Sequence, residues 1–326
     1  MTTAPAPRIS VIIPVRNEAA GLAACLDGIL SQTVRVHEII VIDSGSDDGT
    51  QDIARRYEQV RLIEIPPSEF NHGDTRNLGV RESTGDMILF TVGDARPVDD
   101  RWVEKLLAGF LTPDVVAVGG VQVVPHSADA NPLDWYRPAS TPQTSVHSFG
   151  STAAFDAATG AERRSACVLD DVTAIYRRDI LETIPFRRLV YGEDLLFAID
   201  ALRAGHTLVR QPSAQVYHFH VNNYATTLKR TIAVGSLRHE LFGMLPAMPV
   251  DTPLHNAVRL LREPGLPMAA KLRWWRHKRE IMRALRDGTR MLHKAQAEGV
   301  GCLVALQEKY SGTPPVPLKR REKDAA

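Results

Sequence analysis

The stretch from Val41 to Thr50 is an apolar strand that runs into a turn holding Asp43, Asp47 and Asp48. A carboxylate at the end of such a strand can accept hydrogen bonds from a nucleobase N–H or from ribose hydroxyls. Asp43 is placed for that task. Asp47 and Asp48, just ahead of Gly49 and Thr50, fit the shaping of the turn and the capping of the next helix. A second carboxylate, Asp94, follows Gly93 at the exit of the apolar run from Met87 to Val92. As a hard oxygen ligand it could hold Mg2+ or Mn2+ against a diphosphate, although one aspartate needs partners and an ordinary turn aspartate looks the same. Alternation puts His218 and His220 on one face of an extended segment, and imidazole suits Mn2+ better than Mg2+. Glu193 and Asp194 open a helix, where the helix dipole alone would favour them. The chemical alternative is a general base that takes a proton from an attacking hydroxyl. Such a displacement also needs positive charge on the departing side. Glu69 to Gly79 is dense in polar groups, and there Arg76 could pair with a phosphate or be a plain surface arginine beside a helix cap.

Something must position these residues. β-Branched and apolar runs predict strands at 9–15, 38–42, 60–65, 87–92 and 115–124, and helical spacing predicts helices at 18–32, 49–57, 75–83 and 100–111. The alternation implies an α/β fold with a doubly wound, mostly parallel sheet. It fades after Pro125. Residues 126–160, rich in Ser, Ala, Pro and Thr, read as a long loop region. Helices near 178–183 and 194–204 and a strand near 215–218 follow.

The chain has 326 residues, enough for one large or two modest domains. Its three cysteines are far apart, which excludes a disulfide framework and points to a reducing compartment. The first residues lack a secretory pattern, and no run reaches the roughly 18 apolar residues of a membrane span. The net charge of +1 hides an asymmetry: from Thr252 onward there are 16 Lys/Arg against 7 Asp/Glu. Leu272, Trp275, Met282, Leu285 and Leu292 make a seam at helical spacing among these basic residues. Such a helix either lies on an anionic membrane or docks on its own domain or a dimer partner. Nothing points to nucleic acid.

Taken in order, the motifs resemble those of family 2 glycosyltransferases with the GT-A fold. The resembling parts are Ser10 to Glu18, Ile42 to Thr50, Thr75 to Gly79, Gly93-Asp94-Ala95, Gly192-Glu193-Asp194 and Val216-Tyr217-His218. The resemblance implies a Rossmann-like catalytic domain over 8–240 with a basic helical C-terminal extension over 241–326. It implies inverting transfer of a sugar from a nucleotide-diphosphate donor to a glycan or lipid-linked acceptor, aided by Mn2+ or Mg2+, in envelope or polysaccharide synthesis. Pro14, Arg16, Glu18 and Asp43 match the nucleoside pocket, with Arg76, Gly93 and Asp94 also on the donor. Asp94 and His218 match metal ligands, and His220 is a weaker candidate. Asp194 matches the catalytic base, with Glu193 beside it. Val92 stands where the first Asp of the family's Asp-x-Asp motif is common. Phe70-Asn71-His72-Gly73, Thr75-Arg76-Asn77 and Tyr217-His218-x-His220 are similar to rhamnosyltransferase-type members, which suggests a deoxythymidine-diphosphate-rhamnose donor. The implied location is the cytoplasm, with peripheral contact at the inner face of the membrane if the basic helix meets lipid.

Two other readings compete. A dehydrogenase would need Gly-x-Gly-x-x-Gly after the first strand, where Pro14-Val15-Arg16-Asn17-Glu18 stands instead. A non-catalytic nucleotide-sugar-binding protein would not need Asp94, Asp194 and His218 together.

Overall fold

In the computed structural model, residues 7–125, 131–133 and 143–311 are described. The first part alternates strand and helix: β1 (Ile9–Val15), α1 (Leu22–Leu30), β2 (Glu38–Asp43), α2 (Thr50–Arg55), β3 (Val60–Glu64), α3 (His72–Glu82) and β4 (Met87–Phe90). These strands pair in parallel in the order β3-β2-β1-β4. Such a sheet is covered on both faces, so its strands are apolar throughout rather than alternating. β1 shows this: Val11, Ile13 and Val15 enter one core cluster, while Ile12 enters the cluster on the opposite face.

Beyond β4 come β5 (Arg96–Pro97), α4 (Trp102–Leu107), β6 (Val115–Val123), β7 (Ser145–His147), α5 (Thr152–Ala157), α6 (Gly160–Ala166), β8 (Ala174–Arg177), α7 (Arg178–Thr183), α8 (Glu193–Arg203) and β9 (Thr207–Tyr217). The sheet continues as β8-β6-β9-β5, with β7 beside β9. β8 runs antiparallel to both β4 and β6, whereas β6 and β9 are parallel. The sheet is therefore parallel through its first four strands and mixed beyond them. Antiparallel β8 turns the loop before it, residues 170–173, toward the end of the sheet where β1, β2 and β4 finish.

The segment expected to be a long loop, 126–160, carries β7 and α5 in its described part, while residues 126–130 and 134–142 lie outside the described residues. Small polar residues hid α5. Ser151 caps it by accepting from the Ala154 N–H at 3.2 Å, and Phe155 anchors it in the core. β9 begins eight residues ahead of its expected start, because Thr207, Leu208 and Val209 pair with β6 before Pro212 interrupts the pattern.

The last described residues form four helices, α9 (Tyr224–Phe242), α10 (Pro253–Arg262), α11 (Met268–Glu298) and α12 (Val300–Ser311). The boundary expected at 240 falls inside α9. Phe242 packs into the catalytic-side core, while Ile232 joins Leu292, Ala295 and Leu303 in a separate helical cluster. The expected seam of α11 is partly right. Met282 and Leu292 are buried, but Trp274 rather than Trp275 is the fully buried tryptophan, and Leu272 faces solvent.

Candidate active site

The ends of β1 and β2 are joined by hydrogen bonds into one rim. Asn17, the one non-glycine residue at positive φ (56°) among the described residues, donates its N–H to Ser46 Oγ at 2.8 Å and accepts from the Asp47 N–H at 3.0 Å. The Glu18 N–H donates to Thr50 Oγ1 and the Ala19 N–H to Asp48. Asp48 also accepts from the Thr50 N–H, as a helix-entry carboxylate should. Asp43 has a different first task from the nucleoside contact expected of it. It is 0% exposed, and its carboxylate already accepts from Gly45 N–H, Ser46 N–H, Ser46 Oγ and Gln51 Nε2. A nucleobase would have to displace one of these donors. Pro14 is half-buried at the strand end and Arg16 is exposed on the rim. Gly93 presses against Val15 and Glu18, where a Cβ would come within 2.9 and 3.0 Å of their side chains. Burial and the neighbouring Asp94 push the Glu18 carboxyl up to about 7.

Asp94 lies between two imidazoles. His218 Nε2 is 3.4 Å from its Oδ1 and His220 Nε2 is 3.6 Å from its Oδ2, and the offered atoms of all three lie within 4.8 Å of one another. Burial raises the Asp94 carboxyl, but the two histidines hold it below its ordinary value. The proton on His218 can be placed by elimination. Gln122 bonds Asp170 Oδ2 through its Nε2, since a carboxylate only accepts. Its Oε1 therefore accepts from His218 Nδ1 at 2.7 Å, which leaves His218 Nε2 to face Asp94. Two acceptors facing across 3.4 Å call for a proton or a cation between them. Donors about 2.1 Å from one ion and at right angles lie about 3 Å apart, so small movements would let one ion be shared. One carboxylate with two imidazoles is a donor set suited to a divalent metal ion.

Arg76 is the clearest departure from expectation. It is 5% exposed, and it faces inward rather than toward a donor phosphate. Its Nε lies 2.8 Å from Asp171 Oδ2 and its Nη1 2.8 Å from Glu193 Oε1. The rest of its motif grips the loop before α8. Asn71 caps α3 through its Oδ1 and donates Nδ2 to the Leu189 carbonyl at 2.7 Å. Asn77 exchanges two hydrogen bonds with the Phe186 backbone, at 2.8 and 3.1 Å. Gly73 is required because a Cβ there would sit 2.2 Å from the Arg187 carbonyl oxygen. Gly192 closes the loop at φ 84°, with Leu237 of α9 pressed where a side chain would be.

The clamp treats the two carboxylates of α8 differently. Glu193 is buried and paired with Arg76. Asp194 makes no ion pair among the described residues, accepts from the Leu195 N–H at 2.6 Å, and keeps part of its surface open. Burial, and then Glu193 and Asp171, push its carboxyl well above the usual carboxylate range. Asp171 is itself pushed up to about 7 by burial, against the pull of Arg76.

The sequence profile of glycosyl transferase family 2 matches residues 10–184, more than half of the chain. The chain belongs to glycosyl transferase family 2. This glycosyltransferase is 31% identical over 222 residues to the O-antigen chain rhamnosyltransferase RfbN of Salmonella typhimurium, an alignment covering 65% of this chain and 67% of that protein. It is 29% identical over 226 residues to the O-antigen chain rhamnosyltransferase WbaN of Salmonella anatum, covering 66% and 67%. Among solved structures it is similar to a mannosyltransferase of Pyrobaculum calidifontis in complex with GDP-Man and Mn2+ (TM-score 0.54, 20% identity, 93% of this chain and 79% of that one). It is also similar to glucosyl-3-phosphoglycerate synthase of Mycobacterium tuberculosis in complex with Mn2+, UDP and phosphoglyceric acid (TM-score 0.52, 18% identity, 74% and 81%). At these identities the likeness shows the fold, which is GT-A.

The family 2 chain brings Glu18, Gly93, Asp94, His218 and His220 together and holds Glu193 through Arg76, with Asp194 next to it in sequence. Sequence reasoning missed Gln122, Asp170 and Asp171, which connect the two groups. Gln122 donates to Asp170 on the His218 side, and Asp171 forms an ion pair with Arg76 on the Asp194 side. The available signal was the acidic pair itself, set between Leu169 and Val172 ahead of an apolar strand.

Proposed function

We propose that this glycosyltransferase moves a sugar, with inversion, from a nucleoside-diphosphate donor to a hydroxyl of a glycan or lipid-linked acceptor during polysaccharide assembly, with a deoxyhexose such as rhamnose as the donor sugar. The observation that carries the reading is the partition at α8: Arg76 neutralises Glu193 and leaves Asp194 partly open, without an ion pair among the described residues and with a raised affinity for protons. Asp194 accepts the proton of the acceptor hydroxyl as its oxygen bonds to the anomeric carbon. The bond from that carbon to the diphosphate breaks on the opposite face, and the departing nucleoside diphosphate keeps the electron pair. Asp94 and His218, with His220 beside them, would hold Mn2+ or Mg2+, which supplies positive charge against the diphosphate when bound. The ions and nucleotides named with the two solved structures, and the rhamnosyltransferase relatives, support this choice of donor class.

A thermal-shift panel of nucleotide sugars that includes dTDP-rhamnose tests the proposal. A donor raises the melting midpoint by mass action, and no shift with any donor would sink the reading. Asp94→Ala is expected to weaken Mn2+ binding by about a hundredfold in calorimetry. Gln122→Ala should cost about tenfold, because it frees the His218 ring. Equal affinities would remove Asp94 from the ligand set.

The C-terminal region is proposed to rest on an anionic membrane. Among the described residues 14 large apolar side chains are exposed, and half of them lie between Met244 and Leu272. Leu254 (79% exposed) and Leu261 lie seven residues apart, hence on one face of α10, opposite buried Asn256 and Leu260. On α11 the exposed stripe continues from Met268 and Leu272 to Arg276, Arg279 and Arg283. Apolar tips rimmed by arginine suit an anionic bilayer surface. No helix among the described residues is long and apolar enough to cross a membrane. The Leu254→Glu, Leu261→Glu double variant is expected to lose co-sedimentation with phosphatidylglycerol vesicles. Co-sedimentation equal to that of the parent would favour a protein docking face instead.

A further inference from the structure

We propose that Phe70, His72 and Tyr191 form the seat for a pyranose ring of the acceptor, an assignment that rests on the transfer reading above. The rings form a connected platform. Phe70 meets His72 edge-on at 5.0 Å between centroids, and His72 lies under Tyr191 at 6.1 Å with 26° between planes. Tyr191 is 41% exposed, although the backbone around it is held firmly. Leu189 is bonded to Asn71 on one side, and Gly192 is fixed against Leu237 on the other. The ring is thus presented at the surface by a rigid loop, so little ordering would be lost on binding.

A pyranose offers a face of C–H groups that packs on an aromatic ring, and a rim of hydroxyls that needs polar partners. Both are met here. Burial lowers the His72 pKa and favours the neutral imidazole, which can donate and accept. The Tyr191 hydroxyl supplies a further partner. The platform also lies where an acceptor must be. Tyr191 precedes Asp194 by three residues, and His72 feels the charge of Glu193. On this proposal a sugar stacked on Tyr191 presents a hydroxyl to Asp194.

Saturation-transfer NMR on the full chain, with dTDP or UDP and Mg2+ present, tests this with methyl α-D-mannopyranoside, methyl α-D-galactopyranoside and methyl α-L-rhamnopyranoside as probes. At least one probe should receive saturation from the parent protein. That signal should vanish in Tyr191→Ala and persist in Tyr191→Phe, since the ring rather than the hydroxyl makes the face. Calorimetry with the same nucleotides should give equal affinities for all three proteins, which also shows that Tyr191→Ala is folded. No signal with any probe on the parent, or an undiminished signal in Tyr191→Ala, overturns the platform whatever the nucleotide result. Absent nucleotide binding together with a Tyr191-dependent sugar signal would instead overturn the donor reading and support the seat.

Discussion

Asp194→Asn is expected to lower the transfer rate by about a hundred- to ten-thousandfold while donor affinity stays nearly unchanged. The amide keeps the size of the side chain but cannot take the acceptor proton. Stability should move the other way. The Asp194 carboxyl binds its proton more tightly in the folded chain than in the unfolded one, where its pKa is about 3.9. In that situation stability falls as pH rises from the unfolded value through the folded one, because the folded state holds the extra proton. Asparagine has no such loss. The variant should therefore match the parent near pH 4 and exceed it at neutral pH, as read by urea denaturation across a pH series. Unchanged turnover would move the base elsewhere. A stability deficit at neutral pH would mean that the carboxylate has a partner not seen in this geometry.

Arg76→Met should have the largest effect on stability. Its side chain is buried between two carboxylates, and its loss leaves Asp171 and Glu193 facing each other without a counter-charge. Breaking a buried ionic group on one side costs about 3–5 kcal/mol. The deficit should shrink as pH falls, since protonation removes the orphaned charges, and Asp171 already stands at about 7 with the arginine present. Denaturant midpoints at constant slope measure it. A deficit below about 1 kcal/mol would show that the cluster does not hold α8 in place. Transfer should fall even in the folded fraction, because Glu193 no longer has a partner that keeps it turned from Asp194.

What could be read from sequence follows from how local each cause is. β1 is predicted and found over the same residues, Ile9 to Val15, because a β-branched run buried on both faces needs no distant information. Asp94 and His218 were legible for a related reason: both follow apolar runs, and strand ends in such a fold converge on one edge. Arg76 was not legible as a buried residue, since its partners stand at 171 and 193, about a hundred positions away. Asp43 was read outward because the strand end is visible in sequence, whereas the return of Ser46 and Gln51 onto its carboxylate is not. Gln122 carries no pattern at all; a polar side chain near the end of β6 gains meaning only once His218 lies against it. On α11 the two adjacent tryptophans leave the helical phase ambiguous, and the structure selects Trp274.

The acidic pair before β8 acts as a gauge block. Asp170 fixes the glutamine behind His218, Asp171 fixes the arginine behind Glu193, and their Cα atoms are separated by one peptide unit of about 3.8 Å. On the proposed mechanism, the spacing between the Asp94–His218 group and the Asp194 end of α8 is thus referred to a covalent length. Substitutions around either centre can alter its strength without altering this measure, whereas inserting or deleting a residue at 170–171 would change it for both at once. The separation of the two groups is set there, in a dipeptide that belongs to neither.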